Sequence, residues 1–150
     1  MLNEGDVAPD IQLDTDSGKP FRLSGLQGKK VVLYFYPKAD TPGCTTEACE
    51  FRDLSKDFAK KKAVIVGISP DAIKSQAEFK GKYDLPFTLL ADADKSAAQA
   101  YGVWKEKNMY GRKVMGIERT TFIVGPDGKI VKIFPKVKAQ GHAGQVLAAL

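Results

Sequence analysis

The sequence predicts an α/β fold built on a mainly parallel sheet with helices on both faces. Residues 31–36 and 63–68 are strand-length runs that are apolar or small throughout, without alternation, as strands covered on both faces are. Each run precedes a longer amphipathic stretch, 43–61 and 69–83, and this alternation of strand and helix implies right-handed parallel crossovers. No repeat, low-complexity stretch or linker interrupts the pattern, so a single domain over 1–150 is expected.

The elements follow in order. Residues 11–13 and 20–23 are short alternating runs around the turn-rich Asp14-Thr15-Asp16-Ser17-Gly18, which predicts an N-terminal β-hairpin. A loop at 24–28 leads into the central strand over 30–36. The first helix is expected over 43–61, closed by Lys60, Lys61 and Lys62, whose charges suit the negative end of the helix dipole. After the strand at 63–68, Ser69-Pro70-Asp71 offers a cap, a first-turn proline and an acidic residue to start a second helix through residue 83. Residues 88–91 read as a third strand and 96–101 as a short helix stopped by Gly102. Residues 103–117 have weak periodicity and are expected to form a long loop, a kind of segment that often carries function. Strands at 120–124 and 130–134 flank the turn Pro126-Asp127-Gly128 and add antiparallel edges. A last helix is expected over 141–150, with Val146, Leu147 and Leu150 facing inward.

Composition removes several function classes. The 150 residues are 43% hydrophobic and 27% charged, which is ordinary for a globular domain able to bury a core. The net charge of +5 comes from 19 Lys and 4 Arg, scattered rather than striped, so no nucleic-acid partner is expected. No apolar run approaches the ~20 residues that cross a bilayer, so no membrane partner is expected. The first six residues carry neither a basic nor an apolar leader segment. Two cysteines do not make a secreted disulfide scaffold, and the expected compartment is the reducing cytoplasm.

Those two cysteines carry the chemistry. Cys44 falls at the first turn of the helix after the central strand, where orphan backbone N–H groups and the positive helix end favour a thiolate. Cys49 lies five residues on. In an unbroken helix that spacing is ~7.5 Å of rise and ~140° of rotation, which places the Cα atoms roughly 8–9 Å apart. A disulfide needs about 4.4–6.8 Å. The two sulfurs therefore cannot bond while the helix is intact, and if they react the first turns must unwind. Cys44 shares one helical stripe with Ala48, Phe51, Ser55 and Phe58. Cys49 falls off that stripe, beside Asp53, Lys56 and Lys60, where packing does not account for it.

Other cysteine chemistries fit less well. A dithiol oxidoreductase would normally show Cys-x-x-Cys. A cysteine hydrolase needs a histidine base, and the lone His142, in Gly141-His142-Ala143-Gly144, is expected at the surface. Zinc needs about four ligands. No metal or cofactor is expected.

The run Pro37-x-x-x-Thr41-x-x-Cys44 resembles the peroxiredoxin active-site pattern Pro-x-x-x-Thr/Ser-x-x-Cys. The wider TPGCTTEACEFRD, with EKNMYGRKVMG and ERTTFIV downstream, is similar to the bacterioferritin-comigratory, PrxQ-type branch, and the likeness runs from Gly5 to Leu150. The resemblance implies a thioredoxin-like fold, a central mixed and mainly parallel sheet flanked by helices, and thiol-dependent reduction of hydrogen peroxide and organic hydroperoxides. It implies Cys44 as the peroxide-attacking thiolate and Cys49 as its resolving partner in an intramolecular disulfide. Thioredoxin, or glutaredoxin, is the implied reductant. An intramolecular pair needs no second subunit, so a monomer is expected.

Roles for nearby residues follow from their chemistry. Arg119 offers a permanent charge and a forked donor set to hold a thiolate and a peroxide oxygen together. Thr41 offers a hydroxyl that can bond the peroxide, or cap the helix, or both. Pro37 is expected to shield and shape the pocket, and Pro42 to stiffen the loop. Glu47 reads either as the partner of a pocket residue or as a cap or surface acid. Trp104, Met109, Tyr110 and Met115 read as core or loop packing, with an apolar collar for organic hydroperoxides as the alternative. A redox-signalling protein whose disulfide toggles partner binding shares the first chemical step and is the rival reading.

Overall fold

The computed structural model describes residues 2–150, except that the side chain of Met109 lies outside the described residues. Its main sheet has seven strands in the order β2-β1-β5-β4-β3-β8-β9. These are β1 (Gln12–Thr15), β2 (Pro20–Arg22), β3 (Lys30–Phe35), β4 (Ala63–Ser69), β5 (Thr88–Ala91), β8 (Thr120–Val124) and β9 (Ile130–Phe134). The central pairs β3–β4 and β4–β5 are parallel, while β1–β2, β1–β5, β3–β8 and β8–β9 are antiparallel. The expected mixed sheet with an N-terminal hairpin is thus present, but it is not mainly parallel: only the central β3–β4 and β4–β5 pairings are, because the hairpin, β8 and β9 all join antiparallel. β8 runs beside β3 and not along an edge, so the strand that begins just after Arg119 is fully internal.

Burial explains why β3 is apolar after Lys30. Val31 through Tyr36 are each at most 1% exposed. Alternate residues face opposite ways: Val31, Leu33 and Phe35 pack with Ile68, Leu90 and Phe122, whereas Val32, Tyr34 and Tyr36 pack with Phe51, Phe58 and Phe79. The second layer is held by aromatic pairs, including Tyr34 stacked on Phe51 at 4.7 Å. Gly67 on β4 has no Cβ because one would come within 2.9 Å of Leu89 and of the Tyr34 ring and hydroxyl.

Helices cover both faces: α1 (Pro42–Asp53), α2 (Ser55–Lys60), α3 (Ile73–Tyr83), α4 (Ser96–Ala100) and α5 (His142–Ala148). Four sequence expectations are corrected. The helix over 43–61 is two helices, broken at Leu54, whose φ of −98° and ψ of 6° leave the helical region. The helix after Ser69 starts only at Ile73. Ser69 instead ends β4, and its hydroxyl donates to Asp71 Oδ2 at 2.6 Å and accepts from Gln76 Nε2 at 2.8 Å. The long loop at 103–117 is a separate two-stranded antiparallel sheet, β6 (Trp104–Met109) and β7 (Arg112–Ile117). Its turn is Tyr110-Gly111, with positive φ at both residues (54° and 78°), the geometry of a two-residue primed turn.

His142 supplies the fourth correction. It is 1% exposed, its Nε2 shares a 2.7 Å hydrogen bond with Thr121 Oγ1, and its ring lies edge-on to Phe51 and Phe134. Burial pushes its pKa down to about 4, with the charge of Arg119 adding to the shift. The folded protein therefore keeps His142 neutral, while the unfolded chain protonates it near ~6.5. Its contribution is complete above pH ~6.5 and is lost as pH falls toward 4. Replacing it, His142→Gln, is expected to cost about 1–2 kcal/mol at pH 7.5. In urea unfolding that gap should narrow between pH 6.5 and 4; a gap that is constant over this range would show that His142 does not titrate as described.

Candidate active site

The first turn of α1 meets the start of β8 at the C-terminal end of β3. The chain leaves β3 through Tyr36 and turns at Pro37, which is half-buried. The loop that follows is pinned at two points. Ala39 N donates to Asp71 Oδ2 at 2.7 Å, and Asp40, in the left-handed region with φ 58°, accepts from Lys82 Nζ at 2.9 Å and Tyr83 Oη at 2.8 Å. The residues that looked like a helix cap around Asp71 thus brace this loop.

Thr41 occupies the N-cap position of α1 with extended backbone (φ −99°, ψ 157°), and Pro42 follows in the first turn. The Thr41 carbonyl accepts from Thr45 N at 2.8 Å. Its hydroxyl makes no capping bond. It donates to Lys38 O at 2.8 Å, which leaves the oxygen free to act as an acceptor.

Cys44 and Cys49 lie on the same unbroken helix, α1, and both are free thiols. Cys44 is 1% exposed and packs with Ala48, Phe51 and Tyr36; Cys49 is half-buried. Arg119, in the two-residue link between β7 and β8, reaches across to the first turns of α1. Its Nη2 donates to Cys44 Sγ at 3.3 Å and its Nη1 donates to Glu47 Oε1 at 2.7 Å. Gly43 permits this approach, because a Cβ there would lie 3.2 Å from Arg119 Nη2.

Glu47 is wholly buried, and Arg119 is its only side-chain partner among the described residues. Its Oε2 and the buried Tyr34 hydroxyl make no hydrogen bond there. Burial pushes the Glu47 carboxyl up to about 7, outweighing the opposing pull of Arg119. On Arg119 the balance goes the other way. Burial alone would lower its pKa, but Glu47 and Cys44 together hold the guanidinium above its ordinary value. Sequence reasoning left Glu47 undecided between pocket and surface. Its positions three after Cys44 and four before Phe51 place it on the buried edge of the α1 stripe, and that spacing was the available signal.

The structure therefore brings Cys44, Glu47 and Arg119 into direct contact, with Thr41 one helical turn before the sulfur. It does not gather the four collar candidates. Trp104 is half-buried against the first core layer, with Lys95 Nζ 5.4 Å from its ring centre. Tyr110 is fully exposed at the hairpin turn and Met115 is 50% exposed. The Met109 side chain lies outside the described residues. Among the described residues no helix is long and apolar enough to cross a membrane.

Comparison with known proteins shows the family. The model of the AhpC/TSA family matches residues 5–133. Peroxiredoxin Bcp of Bacillus subtilis strain 168 is 48% identical over 146 residues, covering 97% of this chain and 93% of its own. A Xanthomonas campestris bacterioferritin comigratory protein, whose structures were solved to examine its alkyl peroxide reduction activity, superposes with a TM-score of 0.91 at 43% identity, covering 99% of this chain and 95% of that one. A PrxQ mutant from Xylella fastidiosa gives a TM-score of 0.94 at 39% identity over 99% and 94% of the two chains. With the family model matching most of its length and relatives near half identity over nearly all of it, the chain belongs to the AhpC/TSA family, in its Bcp (PrxQ-type) peroxiredoxin branch.

Proposed function

We propose that the protein is a peroxidase for hydrogen peroxide and organic hydroperoxides that uses Cys44 as nucleophile and Cys49 as resolving thiol. The observation that carries this reading is the fork of Arg119, with one arm on Cys44 Sγ and the other on Glu47. A permanent cation donating to the sulfur favours the thiolate over the thiol, because an anion accepts that hydrogen bond more strongly.

Each step balances with these groups. The Cys44 thiolate attacks the terminal peroxide oxygen; the O–O bond breaks, an S–O bond forms, and the departing alkoxide takes up a proton to leave as alcohol or water. Cys44 becomes a sulfenic acid. The Thr41 hydroxyl, already donating to Lys38 O, presents a lone pair to the peroxide O–H and so orients it. Arg119 stabilises the charge passing from sulfur to the leaving oxygen. Pro37 keeps a backbone N–H out of the pocket wall.

Resolution follows when Cys49 attacks the sulfenic sulfur and expels water, leaving a Cys44–Cys49 disulfide. Both cysteines now sit in one continuous helix, roughly 8–9 Å apart at Cα, so α1 unwinds over its first turns for this bond to close. A dithiol protein, thioredoxin or one like it, with glutaredoxin as the other candidate, returns both thiols and is itself oxidised. One chain carries both sulfurs, so a monomer suffices.

Two outcomes test this. In Cys49→Ser, mass spectrometry of thiol-blocked peptides after one equivalent of peroxide should find Cys44 oxidised as in the parent, without the Cys44–Cys49 bond, and turnover with thioredoxin should fall. Undiminished turnover would assign resolution to another thiol, and a single cycle in the parent despite excess reductant would mark a redox sensor rather than an enzyme. In Arg119→Lys a point charge replaces the fork, so the link between Cys44 and Glu47 is lost. The rate constant for first oxidation should drop by about 100-fold, as for loss of a transition-state donor; a change under twofold in stopped flow would remove Arg119 from the chemistry.

A further inference from the structure

The hairpin of β6 and β7 ends at Ile117, two residues before Arg119, so its base adjoins the Cys44 site. Charges along the hairpin and at its base are paired, with a single half-buried exception. Lys105 Nζ lies 2.9 Å from Glu118 Oε2, Lys113 Nζ lies 3.8 Å from Glu106 Oε1, and Arg119 Nη1 lies 2.7 Å from Glu47 Oε1. Among the described residues Lys107 has neither a salt bridge nor a side-chain hydrogen bond. Arg112 stands at the turn in water, where a cation needs no partner.

Lys107 does not stand out into solvent. It faces Val114 across the hairpin, but its stem runs diagonally toward the base and lies over Gly116. A Cβ on Gly116 would come within 3.2 Å of Lys107 Cδ, 3.4 Å of Cε and 3.7 Å of Nζ. Gly116 is the groove that lets the ammonium lie at the base of the hairpin, three residues before Arg119. Burial lowers the Lys107 pKa first and the Arg119 charge lowers it further, while Glu118 and Cys44 pull the other way. An unpaired ammonium, partly desolvated and set within electrostatic reach of both Arg119 and Cys44, is built to receive an anion.

We propose that Lys107 is a specificity residue at the Cys44 site, and that it makes the protein prefer hydroperoxides carrying a carboxylate over their neutral counterparts. The carboxylate rests on the Lys107 ammonium while the peroxide group meets Cys44. No acid within the hairpin competes for it, because Glu106, Glu118 and Glu47 are each engaged by another cation. This rests on Cys44 being the peroxide-reducing thiol.

The test compares kcat/KM for cumene hydroperoxide and for cumene hydroperoxide with a para carboxylate, in the full-length protein with dithiothreitol as electron donor. The parent should favour the carboxylate by roughly fivefold, the upper range for one partly exposed ion pair. The preference should shrink as salt rises. Lys107→Gln should bring the ratio near one, Lys107→Glu should invert it, and Lys107→Arg should retain it. Because the readout is a ratio, a general loss of activity in any variant cancels. A parent ratio near one, or a ratio that survives Lys107→Gln, overturns the assignment. If neither hydroperoxide oxidises Cys44 in the parent, the peroxidase reading itself has failed, and that result is distinct from a missing preference.

Discussion

One side chain ties the molecule's chemistry to its fold. Arg119 projects from the entry to an internal strand and holds the sulfur and the acid of the facing helix at once, 3.3 Å from Cys44 Sγ and 2.7 Å from Glu47 Oε1. The contact is dry on the helix side, since Cys44 and Glu47 are almost fully buried. Electrostatic interactions are stronger there than in water, and an unpaired buried carboxyl would be expensive. Everything else serves this contact: the apolar β3 that sets the height of the helix start, the glycine at 43 that lets the guanidinium in, and the Asp71 and Asp40 anchors that fix the entering loop.

The same helix is unevenly secured along its length, and that asymmetry suits the opening proposed for its first turns. Beyond Cys49, α1 is tied by Glu50, whose carboxylate accepts from Gly141 N at 2.9 and 3.0 Å, by Arg52 Nη1 donating to Tyr83 O at 2.8 Å, and by Phe51 in its aromatic cluster. Before Cys49, among the described residues, there is no side-chain cap, and the side-chain hydrogen bonds from outside the helix are those of Arg119. Oxidation of Cys44 changes the very atom that one arm of Arg119 holds. In the proposed cycle, loss of that arm would loosen the first turns, while Glu50 and Phe51 would keep the rest of the helix docked.

Much of this was legible in the residues. The central strand, β5 and the closing hairpin announce themselves because burial on both faces leaves an unbroken apolar run and because Pro126-Asp127-Gly128 is strong turn chemistry. Cys44, Thr41 and Pro37 are local in sequence, and their spacing exposes them. What stayed hidden depends on distant contacts. Only the base of the β6–β7 hairpin, Trp104 and Ile117, meets a core, so the rest of its strands lack alternation, and its turn uses Tyr110 where Asn or Asp would have signalled a primed geometry. His142 sits among small residues that suggest a surface, yet Phe51, Phe134 and Thr121 from elsewhere in the chain enclose it. The break at Leu54 is invisible to a wheel that stays amphipathic through Phe58.

The central claim is that a sulfur held at the start of α1 can reach Cys49 only when the helix there gives way. Amide hydrogen exchange over residues 44–49, compared between the reduced protein and the protein oxidised by one equivalent of peroxide, tests it most directly. Protection should be lost across this segment on oxidation while amides from Phe51 to Asp53 keep theirs. A closed Cys44–Cys49 disulfide with protection at 44–49 unchanged would contradict it.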